Sequence, residues 1–193
     1  HAKVMKRLSL LLMLALVALP SCERGIRTER YVLDEKIPLS EGSKFGLELQ
    51  IDVEYPVAGL SAEALDNMCK VVRERSFGIG YRDFDGTAEE LVRQWRDYIF
   101  GQYRVYSQGL MEDLGLDEED AVNLDGMVYC TGAFADRWRG YVNYDKTDYI
   151  YQGGAHGIET ETPVVFEISS GLPVSDSEFT QGVSRDELLA LLD

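Results

Sequence analysis

Residues 44–55, KFGLELQIDVEY, decide the fold class. Phe45, Leu47, Leu49, Ile51 and Val53 fall on one face of an extended chain, and Glu48, Gln50, Asp52 and Glu54 on the other. A period of two with a single apolar face predicts a half-buried strand. Pro56 and Gly59 end it. The apolar period then becomes helical and later returns to two. That order predicts an α+β fold, with an N-terminal strand and two helices followed by a mainly antiparallel sheet.

The helices are punctuated clearly. Ser61 is a suitable N-cap, and Leu60 and Leu65 are spaced as a hydrophobic staple. Leu65, Met68, Cys69, Val72 and Phe77 then form an apolar stripe. GIGYRDFDG, 78–86, reads as a loop. Its acids lack the further ligands and terminal Glu of a calcium loop, so Asp83, Asp85 and Glu89 are read as turn and cap residues. Thr87 and Glu90 form a capping box. The second helix runs through Leu91, Val92, Trp95, Tyr98 and Ile99 and is expected to end before Val105. GLMEDLGLDEED, 109–120, reads as an acidic connector with at most one helical turn.

From Ala121 the spacing predicts three successive strands, 121–135, 137–144 and 147–152, with a bulge at Gly126 or Gly132. Turns are placed at Asp136–Arg137 and at DKTD, 145–148. TPVVFEI, 162–168, predicts a further strand, and SSGLPVSDSEF, 169–179, opens on a glycine turn. Ser184 and Glu187 form another capping box before LLALL. A helix that short is marginal alone, so truncation inside or just after it is expected.

The first residues read as a leader. Lys3, Lys6 and Arg7 precede the apolar stretch 8–19, which is too short to span a bilayer as a helix. LPSC, ending at Cys22, resembles the lipobox of bacterial lipoproteins. That resemblance implies a signal peptide over 1–21, a lipid-bearing Cys22 and an extracytoplasmic place in the cell envelope. Membrane attachment would then be by the lipid alone. Residues 22–33 read as a tether.

The whole chain has 19 Lys and Arg against 34 Asp and Glu, a net charge of -15. Such a surface opposes nucleic-acid binding, which relies on cations that neutralise phosphates, and favours encounter with a basic partner. Cys69 and Cys130 leave two readings open, a disulfide formed in an oxidising compartment or two buried free thiols.

One segment asks for a local explanation. YQGGAHG, residues 151–157, follows a strand pattern with three glycines around His156. Gly153 and Gly154 permit backbone angles that other residues resist, and Gly157 keeps bulk low. A tight turn held by His156, a ligand or partner surface formed with Tyr151, and catalysis by His156 are the three readings. The segment is neither a Walker loop nor a dinucleotide fingerprint. No GxSxG elbow accompanies it, and the one other histidine is His1. Neither a metal nor an organic cofactor is expected.

YQGGAHG resembles the Y-x-GGAH(G/P) motif of the DUF3298 family, and residues 45–110 resemble the DUF4163 module that precedes it. Tyr55-Pro56, the helix opening at Ser61 and the aromatic second helix carry the latter match. VVFEISSGLPVSDSEF, 164–179, continues the DUF3298 pattern. The resemblance implies a DUF4163-like module over 34–115 and a DUF3298-like module over 116–193, truncated at its C-terminus. The family includes RsiV-like lysozyme-binding anti-sigma factors and the N-terminal region of some peptidoglycan deacetylases. It implies a non-enzymatic envelope lipoprotein that binds a cationic protein such as lysozyme, or peptidoglycan. The alternatives are a cell-wall hydrolase using His156 and a purely structural envelope component.

Overall fold

The computed structural model describes residues 25–121, 123–153 and 155–175. Cys22, Gly154 and the segment 184–192 lie outside the described residues, as does the whole leader. The described chain is α+β: two helices and a six-stranded, mostly antiparallel sheet. The strands are β1 (Arg27–Pro38), β2 (Gly46–Ala58), β3 (Gly126–Trp138), β4 (Tyr141–Tyr151), β5 (Ile158–Glu161) and β6 (Val164–Glu167). The helices are α1 (Ala62–Phe77) and α2 (Ala88–Leu114).

The sheet runs β1-β2-β3-β4-β5. β6 also pairs with β4, opposite residues 141–144, while β5 takes residues 147–150 of the same edge. β2 and β3 are parallel, with Leu47 opposite Gly126 and Val53 opposite Gly132. Both helices lie in the crossover between these two strands. Strands from either side of residue 115 therefore share one sheet and one continuous core.

The caps form where the residues place them. Ser61 Oγ accepts from the Ala64 N–H at 3.2 Å. Thr87 Oγ1 accepts from the Glu90 N–H at 3.2 Å, and Glu90 returns a carboxylate to the Thr87 N–H at 2.8 Å. The α1 stripe buries Met68, Cys69, Val72 and Phe77 as expected, with Val71 in addition. Leu65 is only partly buried.

Four expectations are corrected. First, residues from Arg27 onward are strand, not tether. Tyr31, Leu33 and Ile37 do alternate there, but Glu35 stands on their face. Arg96 of α2 makes that tolerable by binding the Glu35 carboxylate through two nitrogens. Second, α2 continues past Val105 to Leu114 and stops at left-handed Gly115. Buried Tyr103 and Ser107, with Leu110 and Met111 half-buried, keep the helical stripe going. Third, 126–151 is a two-stranded hairpin. Its turn is Arg139–Gly140, both at positive φ (46° and 93°), as tight hairpins require. Fourth, the strand irregularity lies between Phe134 and Arg137 rather than at Gly126 or Gly132.

DKTD therefore lies inside β4, and Lys146 points into the core. Its side chain is 0% exposed and forms an ion pair with Asp148, which is 34% exposed. Lys146 Nζ also donates to the Thr147 carbonyl at 3.2 Å. Burying a charge is costly unless it is paired. Removing the ammonium strands a carboxylate that still reaches water, so Lys146→Ala should cost about 2–3 kcal/mol, below the ~3–5 kcal/mol of a fully buried pair. Lys146→Met, which keeps the stem's packing, should cost less. Urea unfolding of both variants checks this order.

Cys69 and Cys130 are both free and buried. Cys69 Sγ donates to the Pro56 carbonyl at 3.3 Å and Cys130 Sγ to that of Ser76 at 3.2 Å. Burial pushes both thiols up, Cys130 to about 12. The thiolate is the reactive form, so neither should react with an aromatic disulfide reagent at neutral pH until denaturant is added. Rapid modification of either in the folded protein would contradict this arrangement.

Candidate binding face and the glycine-histidine turn

Strand alternation sorts the sheet into two faces. Leu49, Ile51, Val53, Val128, Cys130, Val142 and Tyr144 face the helices and are buried. The residues between them face away, and no described helix covers them. The registers align these outward residues into rows. One row runs Asp34, Gln50, Tyr129, Tyr149, Glu159. The next runs Val32, Asp52, Thr131, Thr147, Glu161, and a third joins Lys36, Glu48, Met127 and Tyr151.

Two tyrosines form the middle of the first row. Tyr129 and Tyr149 are directly opposed and their rings stack, with centroids 5.6 Å apart and planes at 28°. Such aromatic cross-strand pairs stabilise a sheet locally. Carboxylates stand at both ends of the row. Burial, then the Glu48 carboxylate, pushes the Tyr129 phenol up. The cations of this face are already engaged: Arg30 binds Asp52 through two nitrogens at 2.5 Å, and Lys36 lies 3.8 Å from Glu48 and 3.6 Å from Asp125.

The glycine-histidine segment connects β4 to β5 at the edge of this face. Gly153 has φ 87°, a conformation L side chains rarely adopt. Gly157 has a different reason to be small: a Cβ there would collide with the Tyr149 ring. The turn thus lies against one half of the stacked pair. Tyr151 accepts a hydrogen bond at its hydroxyl from Asn123 Nδ2 at 3.0 Å, and Asn123 Oδ1 accepts from the Asp125 N–H at 3.0 Å. That tie fastens the 123–125 loop to the turn.

His156 is exposed, and its Nδ1 lies 3.1 Å from the Gly157 carbonyl oxygen. Among the described residues this is its hydrogen-bond contact, with neither a carboxylate nor a hydroxyl beside it. General-base catalysis needs such a partner or a substrate proton within reach. Of the residues singled out from sequence, Tyr151, Gly153, His156 and Gly157 lie along this one edge. Tyr149, two residues before Tyr151 on the same face, is legible from the sequence as its companion in a tyrosine-lined surface. Tyr129 and Asn123 were not singled out, because both depend on long-range pairing. Among the described residues, no three of His, Cys, Asp and Glu converge as a metal site, and no helix is long and apolar enough to cross a membrane.

Replacing Gly157 by Ala should push Tyr149 off Tyr129. The atoms met are the far end of the Tyr149 side chain, so the cost should fall below the ~1–3 kcal/mol of overpacking in a core. The checks are a lower unfolding midpoint and a reduced tyrosine near-ultraviolet circular dichroism signal. Gly153→Ala should lower stability through its backbone while leaving that signal in place.

No protein-family model matches the chain. No curated protein matches it in sequence. Its fold does match that of a DUF3298-family crystal structure from Bacteroides fragilis, with a TM-score of 0.75 at 18% identity. The match covers 87% of this chain and 66% of that one, so this chain spans just under two thirds of its length. A DUF3298-family structure from Pseudomonas aeruginosa aligns over 80% of this chain and 57% of its own at 13% identity, with a TM-score of 0.49.

Proposed function

We propose that this chain is a DUF3298-type binding module, non-enzymatic and carried on a lipid-anchored envelope protein, whose ligand is a cationic protein. The observation that supports this best is the sheet face that no helix among the described residues covers. It presents two stacked tyrosines between Asp34 and Glu159, with further carboxylates in the adjoining row. Aromatic side chains flanked by charge are what protein interfaces use as anchors. Carboxylates without free cations beside them select a basic partner and speed its encounter. The fold shared with a DUF3298 structure supports the module type, and the lipobox-like LPSC ending at Cys22 supports the envelope setting. Among the described residues, exposed His156 contacts its neighbour's carbonyl and has no acid-base partner that would favour the hydrolase reading.

Hen lysozyme is a suitable cationic probe. Titration calorimetry at low and moderate salt should give saturable binding under both conditions. Tyr129→Ala should weaken it by about tenfold, the scale of a ~1.4 kcal/mol anchor. Glu159→Gln with Glu161→Gln should weaken it less and flatten its salt dependence. Absence of saturable binding, or equal affinity for native and variant chains, would reject the cationic-protein reading. Binding that disappears at moderate salt would reduce it to general charge attraction. Soluble peptidoglycan fragments form the comparison arm, because a tyrosine platform also accepts a sugar face.

A further inference from the structure

The outer edge of β1 is the largest unpaired backbone surface among the described residues. β1 is twelve residues long, pairs with β2 on one side and ends the sheet on the other. An open edge of that length is a template for another strand. Charged side chains guard it, but their order is not random. From Arg30 to Asp34 the chain reads Arg-Tyr-Val-Leu-Asp, with Val32 at its centre, outward-facing and 66% exposed.

We infer that β1 pairs antiparallel with β1 of a second copy, about a twofold axis through Val32. A twofold axis perpendicular to the sheet keeps like faces together, so paired residue numbers must sum to an even value. With Val32 opposite itself, Arg30 meets Asp34 of the other copy twice. The Nε and one terminal nitrogen of Arg30 hold Asp52 within its own copy, and the other terminal nitrogen is left to reach Asp34. Thr28 then faces Lys36, and Tyr31 faces Leu33 on the helix side. Moving the centre to Leu33 would instead oppose Arg30 and Lys36, two cations. Moving it to Tyr31 would place Arg30 against Val32 and lose both ion pairs. Opposed unlike charges stabilise a strand pair and opposed like charges destabilise it, so the Val32 register is selected by charge.

The one unfavourable meeting in this register is Glu29 with Glu35. It falls on the helix side, where a groove of about 560 Å3 between β1 and α2 is lined by Arg93 and Arg96. Arg96 already holds Glu35, and no ion pair to Arg93 occurs within 4 Å among the described residues. The same groove offers Leu33 and Val92 as apolar contacts to the incoming Tyr31. A dimer built this way runs one sheet through both copies and sets two tyrosine-bearing faces on the same side. The edge shares Asp34 and Val32 with the rows of the proposed ligand face, but self-association is read without any ligand present, so the inference stands without that reading.

Sedimentation velocity over a wide concentration range tests it with the full chain and two exposed-site variants. The native chain should show a reversible monomer–dimer equilibrium. D34R places two like-charged pairs at its own interface, as R30D does with the opposite sign, and each should weaken self-association at least about tenfold. Mixed in equal amounts, the two variants restore unlike charges at both positions, and a heterodimer should reappear. A native chain that stays monomeric throughout would overturn the proposal, leaving the edge to some other strand. D34R dimerising as tightly as the native chain, or a mixture that stays monomeric, would overturn it equally.

Discussion

The parallel pairing of β2 with β3 is the contact on which the rest of the structure depends. Parallel neighbours cannot be joined by a hairpin and need a crossover. Here the crossover carries both helices, and the registers put α1 and α2 over the same side of the sheet. The core is therefore one-sided. Each strand must bury alternate residues and expose the others, which is why KFGLELQIDVEY has one wholly apolar face. The exposed face follows from the same constraint, and the chain's carboxylates are available to fill it.

Local chemistry was legible wherever the signal was local. Ser61, Thr87 and Glu90 announced helix starts because capping involves residues three apart. β2 was legible because its whole alternation lies in one uninterrupted run. β1 was not, since Glu35 breaks its apolar face and the cation that admits it comes from position 96. DKTD misled for the same reason. Four polar residues read as a turn, until Lys146 finds Asp148 on its own strand face and becomes compatible with a buried position, with Asp148 half-buried beside it. The end of α2 was obscured by Ser107 and Gly109, residues with weak helix preference that tertiary contacts overrode.

YQGGAHG was legible as a turn but not as a part of a surface. Its two described glycines answer to different constraints. Gly153 satisfies the backbone, whereas Gly157 makes room for a side chain eight residues earlier. That second constraint belongs to the pairing of β4 with β5, which sets Tyr149 over the returning chain. The stacked partner, Tyr129, comes from a third strand. A heptapeptide can thus mark the site while most of the site lies outside it. His156, the residue that drew most chemical attention, is exposed beside a backbone carbonyl, and the tyrosines carry the packing.

The packing behind the face that no described helix covers bears on what it can do. Tyr129 and Tyr149 sit on central strands whose neighbouring residues, Val128, Cys130 and Tyr144, are buried on the opposite side. The strands beneath the platform cannot shift without disturbing the core. Gly157 fixes one ring from the edge, and the Asn123–Tyr151 bond fixes the adjoining loop. Ordering flexible side chains is a main cost of association, and a face already held in place avoids part of it. The carboxylates at the ends of the rows, Asp34, Glu159 and Glu161, are more exposed than the tyrosines. This division, with packed aromatics in the centre and exposed charge at the margins, is what the proposed protein-binding role requires: anchors in the middle and a polar rim that governs encounter.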